Sequence, residues 1–295
     1  MRDLPRLKPK PIPVIHPVPE YLAEGELREI YADTKTVLQV PWMGVIAMAF
    51  AHYPTFYGRL WRGLRESFAS TALVDTCAAL RCDVENRVAT LEPPPIRGRL
   101  ESLGYAAREI AAIDDVIEVF SHGNFPYCLM ATIGRLAMDG EEICQGGAAV
   151  PFAGRHAPDV DVPFLLMEEH HADEPIRTVY DDVKVKLGLP FVNTDYRALA
   201  RWPSYFALAW DDLAAVVSTA YYERLVAETH AQVVAAARAL PNPQGLSGAD
   251  LREAAVADAP ATEVLAVTRL FQWLLPGLLM NVAYLRHQLG QGGSR

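Results

Sequence analysis

Asp195 and Asn124 are the two residues of this chain whose types and setting suit chemistry. An ionised carboxylate can take a proton from water, and a carboxamide, with one acceptor and two donors, can fix that water's orientation. Both stand out because the chain repeats part of itself. The segment Arg28–Leu64 slides by 149 positions, without a gap, onto Arg177–Leu213. Arg28, Tyr31, Asp33, Lys35, Leu38 and Pro41 then fall on Arg177, Tyr180, Asp182, Lys184, Leu187 and Pro190. A second match, Pro126–Met130 on Pro276–Met280, is shifted by 150. In this register Gly44-Val45-Ile46 becomes Asn193-Thr194-Asp195, and Leu274 of the second copy faces Asn124 of the first. A carboxylate in place of an isoleucine is costly unless paired or hydrogen-bonded, a cost that active sites accept.

Each feature also has a plainer reading. Asn193 or Thr194 could cap a helix, with Asp195 in its first turn, favourable to the helix dipole and open to water. Gly123-Asn124 before Phe125-Pro126 is also ordinary turn chemistry. His122 could tune a site at Asn124 or simply pack. Trp42, opposite Phe191, reads as core, although an indole N–H can donate to an anion. The run Glu168-Glu169-His170-His171-Ala172-Asp173 lacks the spacing of a metal site and reads as a solvated helical face.

The elements that must position these residues read as helices. Ile110, Ile113, Ile117 and Phe120 recur with a period near 3.6, and no run alternates as a strand would. Pro54 and Pro203 suit first helical turns, and Ser247 with Asp250 marks another helix start. The expected fold is all-α: two pseudo-symmetric helical repeats, 20–138 and 165–290, packed as an intramolecular pseudo-dimer with a ligand cleft between the halves. A proline-rich arm (1–19), a Gly- and Pro-containing linker (139–164) and a short tail (291–295) complete the chain.

Composition narrows the function. The chain of 295 residues is 51% apolar and 21% charged, as in globular proteins with a substantial core. A formal charge of −9 argues against a nucleic-acid or anionic-membrane partner. Cys77, Cys82, Cys128 and Cys144 show neither CxxC nor zinc spacing and read as reduced packing residues. Residues 1–19 do not resemble a signal peptide, and the apolar runs at 40–51 and 274–285 are short or interrupted, so the default location is the cytoplasm. GxGxxG, Walker A and GxSxG patterns are absent, which removes the usual dinucleotide, nucleotide and serine-hydrolase readings.

Val40-Pro41-Trp42, Gly123-Asn124-Phe125-Pro126-Tyr127 and the run Thr194-Asp195 to Trp202-Pro203 together resemble the group I 2-haloacid dehalogenases, over nearly the whole chain. The resemblance implies an all-helical, cofactor-free and metal-free hydrolase. In it Asp195 is the general base and Asn124 its partner in holding water, which attacks C2 of a 2-haloacid and inverts configuration without an enzyme ester. Trp42, Val45, Tyr127, Thr194 and Phe271 match pocket positions. Asn193, two residues before the base, resembles the D-specific members, in which it excludes the L enantiomer sterically. D-2-haloacids are therefore the expected substrates and L-2-hydroxyacids the products, with a homodimer as the expected assembly. The alternatives are a non-stereospecific dehalogenase and a small-carboxylate-binding protein on the same helical pseudo-dimer.

Overall fold

The 149-residue repeat of the sequence returns as a repeat of helices. The structure, a computed structural model, describes residues 4–141, 143, 147–160 and 162–290. The predicted tail 291–295 and Cys144 lie outside these residues. The first series is α1 (Gly25–Leu38), α2 (Val45–Phe50), α3 (Pro54–Phe68), α4 (Thr71–Ala89), α5 (Arg97–Ser102) and α6 (Ala107–Met138). The second is α7 (Glu174–Leu187), α8 (Thr194–Leu199), α9 (Pro203–Val217), α10 (Ala220–Ala239), α11 (Gly248–Asp258) and α12 (Ala261–Gln288). Both ends of α7, α8 and α9 lie 149 residues beyond those of α1, α2 and α3. Among the described residues there is no strand, although an isolated bridge joins Ser70 and Pro151, so the fold is all-α as expected.

Local sequence explains the helix ends. Pro54 and Pro203 open α3 and α9, where a missing N–H costs nothing. Ser247 and Asp250 form a reciprocal capping box on α11. Gly188 (φ 62°) ends α7 in the left-handed region, and Gln39 (φ 50°) does the same for α1. The Gln39 side chain has a second use: its amide donates to Gly154 O and accepts from the N–H groups of His156 and Ala157, fastening the linker.

Side-chain bonds repeat with the helices. Trp61 donates to Asp33 at 2.8 Å and Trp210 to Asp182 at 2.8 Å. Tyr31 donates to Val18 O and Tyr180 to Met167 O, both at 2.8 Å. Lys35 pairs with Glu20 as Lys184 pairs with Glu169. The Trp and Tyr bonds each satisfy a polar group at the edge of an apolar interior, where leaving it unpaired would be costly, whereas the Lys–Glu pairs face solvent.

The chain gathers into two compact units over the described residues. The first comprises Met1–Arg81, Gly123–Ala157 and Ala227–Gly277; the second comprises Cys82–His122, Pro158–Val226 and Leu278–Arg295. Neither is one repeat. In the first unit α3 packs on α11 of the other repeat: Arg59 pairs with Asp250, the Phe56 N–H donates to Asp258, and Leu246 covers Gly63. In the second, an ion pair joins α5 to α9, with Arg99 Nη1 2.6 Å from Asp212. The long helices α4, α6, α10 and α12 run through both units.

From Leu4 to Pro19 the proline-rich segment carries neither helix nor strand, and it is anchored. Arg6 donates to Trp273 O at 3.0 Å, and Arg6 and Lys8 lie over the Trp273 ring. The linker is fixed by Thr71 N–H to Val150 O and Phe152 N–H to Ala69 O. α12 is long and apolar enough to cross a membrane, yet 67% of its most apolar window is buried within the protein, which is the pattern of a core helix.

Candidate active site

Asp195 lies in the first turn of α8, a helix of six residues. Asn193 holds the N-cap position with extended backbone (φ −62°, ψ 154°), and its side chain makes no capping bond. The N-cap position foreseen from sequence is thus present, but neither an Asn193 capping bond nor the exposure of Asp195 is: Asp195 is only 2% exposed, the same as its counterpart Ile46. The carboxylate has been placed in an interior position that the first repeat fills with a hydrocarbon. Asn193 and Thr194 are buried beside it, and Asn193 Oδ1 has no hydrogen-bond partner within the protein.

So short a helix has little stability of its own and depends on what holds it. Arg197 Nη1 lies 2.7 Å from both carboxylate oxygens of Glu168, its Nη2 reaches Thr194 Oγ1 at 3.4 Å, and Met167 N–H donates to Arg197 O. Glu168 begins the acidic and histidine-rich run, which is a turn leading into α7 and not the helical face expected. Glu169 pairs with Lys184, Asp173 caps α7 through the Ile176 N–H, and His170 and His171 are exposed. Among the described residues no group of three or more His, Cys, Asp or Glu could hold a metal ion.

Asn124 lies inside α6, 5% exposed. The turn reading of Gly123–Pro126 therefore fails: these residues continue a helix of 32 residues with Pro126 in its interior. Gly123 has a packing reason instead. A Cβ there would lie 2.3 Å from Trp42 Cη2 and 2.9 Å from Val40 Cγ1, so its absence lets the indole lie directly against the helix backbone. His122, next to it, is part-buried.

Trp42 is held from a second side by Tyr127, whose ring is 5.9 Å from the indole and whose hydroxyl donates to Trp42 O at 2.9 Å. Burial pushes the Tyr127 phenol above its ordinary range, so it remains a proton donor. Gly44 admits this ring, since a Cβ would approach Tyr127 Cε2 to 2.9 Å. Val45 opens α2 and is part-buried. Phe271, in α12, is buried with its ring edge-to-face with Phe50 at 6.1 Å.

The predicted residues thus form two groups. Trp42, Val45, Asn124, Tyr127 and Phe271 belong to the first unit, with Trp42 and Tyr127 in contact; Asn193, Thr194 and Asp195 are consecutive in the second. Cys77 and Cys128 are thiols here, because burial raises Cys77 to about 12 and Cys128 further. Sequence reasoning overlooked the Arg197–Glu168 pair and the close approach of Gly123 to Trp42. Comparing Arg197 with Met48, and Glu168 with Pro19, across the repeat would have exposed the first.

No family model matches the chain. It is 45% identical over 249 residues to an (R)-2-haloacid dehalogenase of Rhizobium sp. (strain NHG3), covering 84% of this chain and 96% of that one. The chain belongs to the D-specific 2-haloacid dehalogenase family. A second dehalogenase of the family, from Pseudomonas putida, is 38% identical over 293 residues, 95% of each chain. Two solved structures are similar throughout. A D-2-haloacid dehalogenase mutant in complex with D-2-CPA has a TM-score of 0.86 at 34% identity, over 94% of this chain and 96% of that one. A D-2-haloacid dehalogenase in complex with L-LA has a TM-score of 0.87 at 33% identity, over 97% and 99%. The resemblance read from the dehalogenase motifs therefore holds across the fold.

Proposed function

We propose that this enzyme hydrolyses D-2-haloalkanoic acids such as D-2-chloropropionate to L-2-hydroxyalkanoic acids and halide, with inversion at C2. The observation that carries the reading is Asp195, a carboxylate buried as deeply as the isoleucine it replaces, in a chain whose relatives over most of its length are (R)-2-haloacid dehalogenases. Such a group is retained where its charge is used.

In this reading Asp195 takes a proton from water whose orientation the Asn124 amide fixes. The water oxygen bonds to C2 opposite the halogen as the carbon–halogen bond breaks, and halide leaves with the electron pair. The proton passes from Asp195 to solvent, and no ester forms on the enzyme. Water and substrate balance the reaction, and the reading assigns no step to a cofactor or metal. Trp42, Val45, Tyr127, Thr194 and Phe271 shape the substrate's surroundings, and Asn193 excludes the L enantiomer. A buried Asn193 oxygen without a protein partner suits a residue that meets a ligand.

The repeated helices and side-chain bonds support the intramolecular pseudo-dimer of repeats 20–138 and 165–290. A cytoplasmic homodimer without nucleic-acid or membrane partners completes the proposal; the charge of −9 supports the lack of polyanionic partners. The deciding experiment is halide release from each enantiomer of 2-chloropropionate. Release from D alone, yielding L-lactate, is expected; equal rates, or none from either, would overturn the reading. A single turnover in oxygen-18 water should label the product at once, whereas unlabelled first-turnover product would require an ester.

A further inference from the structure

Beside Asp195 the second repeat carries a buried polar chain that the first repeat lacks. Asn281, in α12, donates its amide N–H to the Tyr196 hydroxyl at 2.8 Å, and its amide oxygen accepts from the Tyr222 hydroxyl. All three residues are 3% exposed or less. Their counterparts, at the offsets of 149 and 150, are Ala47, Leu73 and Ala131, which are buried as well. The first repeat therefore fills the equivalent positions with hydrocarbon. Three hydroxyl and amide groups in such a place need an explanation, because each is costly unless satisfied and an apolar set suffices next door.

What the chain holds is the residue after Asp195. Tyr196 stacks on Phe206 and meets Trp210 edge-on at 5.7 Å, so its ring is confined, and Asn281 then fixes its far end. The phenol's proton affinity is also raised, first by burial, then by Tyr222 and least by the Asp195 charge, against the lowering effect of the Asn281 hydrogen bond. The bond adds a second hold on α8, a helix of six residues whose first turn Asn193 does not close, to that of Arg197 on Glu168. The equivalent helix α2 carries no base and has no polar anchor at Ala47 or Met48.

We infer that Asn281, acting through Tyr196 and backed by Tyr222, sets the direction of the Asp195 carboxylate and is a positioning residue for water activation. This rests on Asp195 as the base. The test is the triple variant Tyr196→Phe/Asn281→Leu/Tyr222→Phe, which replaces all three polar groups together, so that none of them is left facing a lost partner among the other two. Its Tm should stay within a few degrees of wild type, its KM for D-2-chloropropionate within about twofold, and its kcat should fall about tenfold or more, with the acid limb of the kcat–pH profile displaced. Wild-type kcat and profile in a folded triple variant would overturn the inference, as would a change confined to KM. Should the triple variant not fold, Tyr222→Phe decides: a severalfold loss of kcat at unchanged KM supports the inference, and an unchanged kcat overturns it. Asp195→Asn, assayed in parallel, keeps the two readings apart, since its inactivity alongside a fully active triple variant would leave the base in place and remove only the positioning role.

Discussion

Tyr127 donates its phenolic proton to the main-chain carbonyl of Trp42 at 2.9 Å, while its ring occupies space that Gly44 leaves open. The bond ties the segment before α2 to α6, the helix that carries Asn124. Trp42 thus has its place set by α6 twice, through Tyr127 and through Gly123. Tyr127→Phe removes the bond and keeps the ring. A loss of about 1 kcal/mol is expected, which in a chain of this size lowers Tm by about 2–4 °C, together with a raised KM for D-2-chloropropionate. A variant with unchanged Tm and KM would show that the hydroxyl does not hold the indole.

Gly123 and Gly134 lie on the same helix and should respond oppositely to alanine. At Gly123 a Cβ meets Trp42 at 2.3 Å, and over-packing of this kind costs about 1–3 kcal/mol. At Gly134 the nearest atom is Phe50 Cε2 at 3.7 Å, an ordinary contact, so alanine should stabilise by about 0.5–1 kcal/mol through its helix preference. Denaturant midpoints of the two variants check the pair. Equal shifts would mean that the indole moves aside freely.

Asp195→Asn should lower kcat by about 10²–10⁴-fold, the usual contribution of a general base. Stability should not fall, because the substitution removes a buried charge and keeps the shape. Halide release and thermal melting on one preparation give both values. Wild-type turnover would remove Asp195 from the mechanism.

Asp33 gives a pH signature of the framework. Burial pushes its carboxyl up, but hydrogen bonds from Arg65 and Trp61, with the Arg65 charge, outweigh this and hold it below the ordinary 3.8. A depressed folded-state value means stability that is present above 3.8 and is lost as pH falls through the lower, folded value. The Tm gap between wild type and Asp33→Asn should therefore be flat near neutrality and close as pH drops below 3.8. A gap independent of pH would show that the carboxylate's charge adds nothing.

Helices, their proline starts and the Ser247–Asp250 cap were legible because each is encoded within a few residues. Asp195 was legible as a break in the repeat, but the choice between burial and exposure was not, since an aspartate in a first turn ordinarily faces water while its isoleucine counterpart argues for the interior. Gly123–Pro126 misled for a related reason: glycine and proline are turn signals locally, and only the indole lying across Gly123 explains them within a helix. Asn281 and Tyr222 left no motif, and Tyr196 lies in the Thr194–Pro203 run without being marked out by it. They stand out only against Ala47, Leu73 and Ala131, along helices where the direct sequence match is weak. How the repeats share the two compact units was invisible, because an exchange of partners between like segments alters no local pattern.

That exchange has a consequence for the chain's origin. Severing it in the linker would leave each fragment with part of both interiors and the whole of neither. On the pseudo-dimer proposed above, a one-repeat ancestor would complete its core as two copies trading their ends, and gene duplication with fusion would convert that encounter between molecules into an event within one. Once joined, the two copies were free to diverge, one toward hydrocarbon and the other toward a carboxylate.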